Sequence, residues 1–257
     1  MTGIVDLDGK RGLVVGIANE SSIAAGCATA FHDAGARLAV TYLNEKAAPF
    51  VAPVADAVGA ELRLACDLRD PGALEAVFER IADHWGGLDF LLHSVAFAPR
   101  ADLHVPLVDC SAEGFAMAMD VSCHSFIRMA KLAAPLMKEG GALLTVSFYG
   151  ADRVIENYNL MGPVKAALES SVRYLAADLA ARGIRANTIS AGAIRTRAAS
   201  GIDRFDELLD KVRQRTPANR LVGVEDVGRV AAFLASEAGS SLTGSVVYAD
   251  GGFHTVA

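Results

Sequence analysis

GLVVGIANESSIAAG, residues 12–26, is the stretch on which the fold turns. GLVVGI (12–17) is a continuous apolar run of strand length, and strands of that kind are buried on both faces. Gly16 follows where the chain must turn tightly, and Ser21 or Ser22 is placed to cap a helix over SIAAGCATAFHDAGA (22–36). The turn between a first strand and a first helix is where a doubly wound sheet holds a pyrophosphate, because the free N–H groups of the helix start face the anion. Ala24, Ala25 and Gly26 are small enough to let that helix approach the sheet. The spacing does not fit G-x-G-x-x-G, and a plain strand–turn–helix junction gives the same pattern.

The alternation continues outward. RLAVTYL (37–43), ELRLACDL (61–68), LDFLLHSVA (88–96), GALLTVSF (141–148), RANTISAG (185–192) and SVVYADGG (245–252) read as further strands. Helical patterns fall between them at 46–58, 112–137, 159–182 and near 225–236. Another helix begins at Pro71, with Asp70 as its cap. The expected fold is α/β: a single Rossmann-like doubly wound domain over 1–257, with a seven-stranded parallel sheet and helices on both faces. Residues 193–222 are more polar and lose the strand pattern, so they read as an excursion beyond the sheet edge that carries a substrate loop.

Composition narrows the function. Hydrophobic residues make up 52% of 257, enough for one large core. The net charge of -6 and the absence of a basic cluster argue against nucleic acid. No apolar run reaches the ~20 residues of a membrane span, and the N-terminus lacks a signal-peptide core. Cys27, Cys66, Cys110 and Cys123 form no CxxC and read as buried thiols of a reducing cytoplasm. The histidines are scattered, so no metal is expected.

ENYNLMGPVKAALES (156–170) holds Tyr158 and Lys165, seven residues apart. On a helix that spacing is almost two turns and puts both side chains on one face. A positioned phenol can donate a proton, and a nearby cation lowers the cost of its phenolate. Asp67, at the end of the third strand, can accept from an adenine amine or serve as a loop residue. TYLNEK places no Arg beside the ribose, which favours NADH over NADPH, with Lys46 the nearest cation to the contrary.

GIANESSIAAG (16–26), HSVAFAP (93–99) and YNLMGPVK (158–165), in this order, resemble the enoyl-[acyl-carrier-protein] reductases, a branch of the short-chain dehydrogenase/reductase superfamily. The similarity runs from KRGLVVGIANESSIA to VVYADGGF and takes in ISAGAIRTRAASGI (189–202) and EDVGRVAAFLAS (225–236). The TGxxxGxG, NNAG and YxxxK of ordinary members are absent. The resemblance implies NADH-dependent reduction of enoyl thioesters carried by acyl carrier protein or coenzyme A, by a cytoplasmic homotetramer of fatty acid biosynthesis. It implies that Tyr158 donates to the thioester oxygen and that Lys165 holds the nicotinamide ribose. Gly16, Ser22 and Ile23 would line the pyrophosphate, and Asp67 and Leu68 the adenine. Ser94, Val95, Ile194 and Thr196 would surround the nicotinamide. Ala98, Phe148, Met161, Ile202 and Phe205 are acyl-pocket candidates, with plain core packing as the alternative.

Three positions depart from the commoner pattern. Phe148 stands where many members carry a second Tyr, Leu43 where a Gln often touches adenosine, and Ala193 where Pro is usual. Tyr149 should point to the opposite face from Phe148 and so cannot replace the missing hydroxyl. A carbonyl or alcohol oxidoreductase of the wider superfamily is the alternative activity, and a nucleotide-binding regulatory protein without turnover is the non-enzyme alternative. IDRFDELLD (202–210) is acidic where family members often present basic residues, which predicts weak or displaced docking of an acidic carrier.

Overall fold

The computed structural model describes residues 4–196 and 205–256. In chain order, β1 (Arg11–Val15) leads to α1 (Ile23–Asp33), β2 (Arg37–Tyr42), α2 (Ala48–Ala57), β3 (Leu62–Ala65) and α3 (Ala73–Trp85). β4 (Phe90–His93) is followed by α4 (Arg100–Leu103), α5 (Ala112–Met119) and α6 (Ser125–Ala133). Then come β5 (Gly141–Phe148), α7 (Met161–Leu179), β6 (Ile184–Ala191), α8 (Phe205–Arg215), α9 (Val224–Ala235) and β7 (Val246–Ala249).

The strands form one parallel sheet in the order β3-β2-β1-β4-β5-β6-β7. Strand order reverses between β1 and β4, and the crevice at that point is where such sheets bind ligands. Alternate side chains fill two cores. Leu13, Leu91, Leu143 and Ala186 pack against α3, α6 and α7. Val14, Leu92, Leu144 and Ile189 pack against α1, α2 and α9. At the opposite end of the sheet, Arg11 bonds Asp89 through Nε at 2.8 Å and joins the starts of β1 and β4. Gly26 and Gly228 let α1 and α9 touch backbone to backbone: a Cβ on Gly26 would stand 2.5 Å from the Val224 carbonyl oxygen.

Four expectations need correction. The helix expected over 112–137 is interrupted by a π-turn at Asp120–His124 and ends in a 3₁₀ turn at Ala134–Leu136. The wider turn adds a residue without disturbing the apolar rhythm enough to show in the sequence. It also turns Ser122 to the Phe97 amide (2.8 Å) and Ser125 to His93 (2.9 Å). Asp70 is not a side-chain cap. α3 starts at Ala73, after Gly72 adopts φ 81°, and the Asp70 contact is its carbonyl accepting from Ala73 N. β3 and β4 are shorter than their apolar runs, since Leu68 and Val95 leave the sheet for the core and the crevice. Tyr158 lies before the first residue of α7, so the two-turn helical spacing to Lys165 does not apply. Asn157 (φ 64°) and Asn159 (φ 39°) flank it in left-handed conformations that asparagine tolerates, and break the helical run there.

Candidate active site

A cavity of about 350 Å³ opens at the carboxyl ends of β1, β4, β5 and β6. One wall is the first crossover. Gly16 has φ 106°, a conformation that L side chains rarely adopt, and a Cβ there would strike the Ser94 carbonyl oxygen. Ser22 caps α1, its Oγ accepting from Ala25 N at 3.3 Å and donating to the Asn19 carbonyl at 2.7 Å. Ile23 and Ser22 bring the helix start to the cavity, where the backbone dipoles favour an anion.

The opposite wall comes from β5 and the turn into α7. Tyr158 is 8% exposed and Lys165 5%. Burial raises the Tyr158 phenol above its ordinary range, and the negative charge of Glu169 adds to it. Burial lowers the Lys165 ammonium to about 8. Its Nζ donates to the Val146 carbonyl at 2.7 Å. At neutral pH the site therefore presents a protonated phenol and an ammonium in one cavity. Phe148 meets Tyr158 edge-on, with ring centroids 5.0 Å apart. Tyr149 turns the other way, into a cluster with Phe253 (5.9 Å) and Tyr248 (6.3 Å).

Gly16, Ser22, Ile23, Ser94, Val95, Ala98, Phe148, Tyr158, Met161, Lys165, Ile194, Thr196 and Phe205 all line this cavity. Asp67 and Leu68 do not. Asp67 accepts from Arg69 Nε at 2.9 Å and Arg69 Nη2 at 2.6 Å, which lowers its carboxyl pKa. Leu68 is buried in the core beneath. Ile202 lies outside the described residues, as do Arg197, Asp203 and Arg204.

Other contributors escaped the sequence reading. His93 is buried between Thr145 Oγ1 (2.8 Å) and Ser125 Oγ (2.9 Å). Burial and the nearby Lys165 charge lower its pKa to about 3, so it is a neutral strut under Ser94. Gly150 leaves the space that the Tyr158 ring fills. Phe97 lines the cavity with the Arg69 guanidinium 5.4 Å above its ring. His93 and Phe97 fall inside HSVAFAP, but spacing alone does not reveal these roles, because each depends on residues from separate elements. The cations near α8 are engaged locally: Arg195 with Asp206 (2.6 Å), Lys211 with Glu156 (2.8 Å) and Arg213 with Asp210 (3.0 Å).

A doubly wound parallel sheet with a buried tyrosine and lysine facing the first crossover defines a short-chain dehydrogenase/reductase arrangement. Comparison with known proteins narrows it. The chain belongs to the enoyl-(acyl-carrier-protein) reductase family, whose model matches residues 16–254. It is 44% identical over 250 residues to enoyl-(acyl-carrier-protein) reductase (NADH) 1 of Rhizobium meliloti, covering 97% of this chain and 92% of that one. Identity to the NADH enzyme FabI of Escherichia coli is 44% over 252 residues, covering 98% and 96%. Among solved structures, the Anaplasma phagocytophilum reductase in complex with NAD superposes with a TM-score of 0.93 at 43% identity, covering 97% of this chain and 95% of that one. The FabI structure of Candidatus Liberibacter asiaticus gives 0.95 at 41% identity, covering 100% and 99%.

Proposed function

We propose that this chain reduces the trans-2 double bond of enoyl-acyl-carrier-protein thioesters with NADH, in fatty acid biosynthesis. The observation that carries the reading is the meeting of Tyr158 and Lys165 with the capped start of α1 in one cavity, in a chain 44% identical to NADH enzymes of this name. The residues fit a dinucleotide: Gly16 keeps the crossover open where a Cβ would close it, and the α1 start offers its amides to a diphosphate. When bound, NADH supplies hydride to the β-carbon of the enoyl thioester.

The protein's part is to hold charge and protons. As the β-carbon is reduced, negative charge collects on the thioester oxygen. Tyr158 donates a hydrogen bond to that oxygen from a site where burial keeps the phenol protonated. Lys165 offers an ammonium to the nicotinamide ribose hydroxyls. Ser94, Val95, Ile194 and Thr196 surround the nicotinamide, while Asp67 and Leu68 take the adenine end, with Arg69 sharing the Asp67 carboxylate. Ala98, Phe148, Met161, Ile202 and Phe205 form the acyl wall. Phe148 has no hydroxyl, so oxyanion stabilisation falls on Tyr158.

The chain is one catalytic domain, and 193–222 carries the substrate loop; Ala193 and Phe205 lining the cavity supports this. It works as a cytoplasmic homotetramer. Exposed Phe115 and Met117 on α5 and Tyr174 on α7 support assembly, and the free cysteines suit a reducing compartment. No helix among the described residues is long and apolar enough to cross a membrane. The test is NADH oxidation with a crotonyl thioester against a panel of ketones. Tyr158→Phe should lower turnover by about 10²–10³ and leave NADH affinity nearly intact. Lys165→Ala should weaken both. Turnover on ketones instead of the thioester would favour the carbonyl reductase alternative.

A further inference from the structure

Beneath the cavity, the end of β5 is tied to α7 at two consecutive residues. Lys165 Nζ donates to the Val146 carbonyl at 2.7 Å, and Ser147 Oγ donates to Glu169 Oε1 at 2.6 Å. Lys165 and Glu169 are one turn apart on α7, so their side chains stack on one face. Ser147 itself lines the cavity. Glu169 is thus a part-buried carboxylate beside the pair that performs the chemistry, and the reaction as described leaves it without a role.

We propose that Glu169 is a positioning residue of the reductase site: through Ser147 it fixes the end of β5, and its negative charge keeps the proton on Lys165 and adds to the burial that keeps the Tyr158 phenol protonated. This rests on the reductase reading, which requires a phenol that donates and a lysine that is charged. A carboxylate opposes formation of a phenolate and favours an ammonium, so one group serves both requirements.

The surroundings leave this role to Glu169. On α7 it is faced by Lys165 and Arg173. From the turn after β5 comes Asp152, from the segment before α7 Tyr158, and from β7 Tyr248. Lys165 is also faced by His93 of β4 and by Cys123 of the π-turn. His93 is neutral, and burial raises the Cys123 thiol, which therefore carries no charge at pH 8. Burial raises the Glu169 carboxyl, against the bond from Ser147 and the charges of Arg173 and Lys165. Between that carboxyl and Lys165 at about 8 lies the window in which both are ionised.

The test is NADH affinity and turnover as functions of pH, on the full-length enzyme. Glu169→Gln keeps a side chain that can bond Ser147 and removes the charge. An opposite charge at such range moves a pKa by about one to three units. Taking the low end, because Glu169 is only part-buried, the basic limb of both profiles should fall by about one pH unit. NADH affinity should then be near wild type at pH 6 and about fivefold weaker at pH 8, approaching tenfold only at higher pH. Glu169→Asp keeps the charge but shortens the reach to Ser147, and its limb should lie between the two. It also supplies the answer if the glutamine variant does not fold. Profiles whose basic limb stays in place, with or without a uniform drop in rate at every pH, would overturn the proposal. Failure of the wild-type enzyme to reduce an enoyl thioester would instead refute the reductase reading, and the NADH titrations would still judge Glu169.

Discussion

Replacing Gly150 with alanine should cripple the reaction while leaving every group that takes part in it chemically intact. Gly150 lies in the turn after β5, and its backbone φ suits any residue. A Cβ there would stand 2.7 Å from Tyr158 Cε1 and closer still to Cδ1. Carbon atoms rest at about 3.5–4.0 Å, so the ring must retreat by about 1 Å. Its other neighbours allow little else: Phe148 meets the ring edge-on, and Leu160 and Met161 are buried beside it. A displacement of that size in a group aligned to a reacting centre costs on the order of 10² in rate, or about 2.7 kcal/mol of barrier. Folding stability should fall as well, since overpacking against the buried Tyr158 ring costs about 1–3 kcal/mol and the restricted unfolded chain returns only about 0.4–1 kcal/mol, so kcat is compared on enzyme shown to be folded. The assay is kcat and KM on a crotonyl thioester, followed at the NADH band, beside an NADH titration. The expected result is a hundredfold loss in kcat with nearly unchanged cofactor affinity. A Gly150→Ala enzyme within twofold of wild-type kcat would show that the position of the Tyr158 ring does not limit turnover.

Restoring the absent hydroxyl with Phe148→Tyr should raise turnover or tighten phenolic inhibitors that stack on the nicotinamide; no change in either makes Phe148 a pocket wall only. With the cations around α8 held by Asp206, Glu156 and Asp210, carrier docking is weak or shifted to the later basic residues, and kcat/KM for carrier-linked and coenzyme A-linked substrates should differ less than in a relative with a basic start to this helix. A large salt-sensitive preference for the carrier that survives neutralising Lys211, Arg213 and Arg215 would refute this. Glu61 is held to about 2 by Arg37, with Trp85 and His84 adding hydrogen bonds. Its folded pKa is depressed from 4.5, so its stabilisation is present above pH 4.5 and lost as pH falls through about 2. Tm curves of wild type and Glu61→Gln should therefore converge in acid and separate above pH 4.5.

The sheet was legible because its strands are apolar on both faces, and alternation with helical patterns leaves few other arrangements. The crossover was legible because Gly16 and the serines before α1 each answer a local demand of backbone or cap. What was missed is settled between elements. Nothing in ENYN announces that its two asparagines turn left-handed and put Tyr158 ahead of the helix. The π-turn is invisible to a periodicity that tolerates one extra residue, yet it lets Ser122 and Ser125 reach two different elements. The pairing of Asp67 with Arg69, two residues on, is likewise invisible in the sequence, because side-chain direction in a loop has no period.

The backbone contact between α1 and α9 bears on how the molecule is made. Gly26 and Gly228 are separated by most of the chain, and each leaves no room for a side chain at the crossing. While the chain emerges from a ribosome at about 5–20 residues per second, α1 waits on the order of ten seconds or more for its neighbour. Until then Ala24, Ala28 and Phe31, all buried in the finished protein, lack part of their cover. Such distant pairing slows folding and prolongs exposure of apolar surface. The first crossover is among the earliest segments synthesised and among the last to be fully enclosed, so nascent chains stopped short of α9 are the species that chaperones should hold.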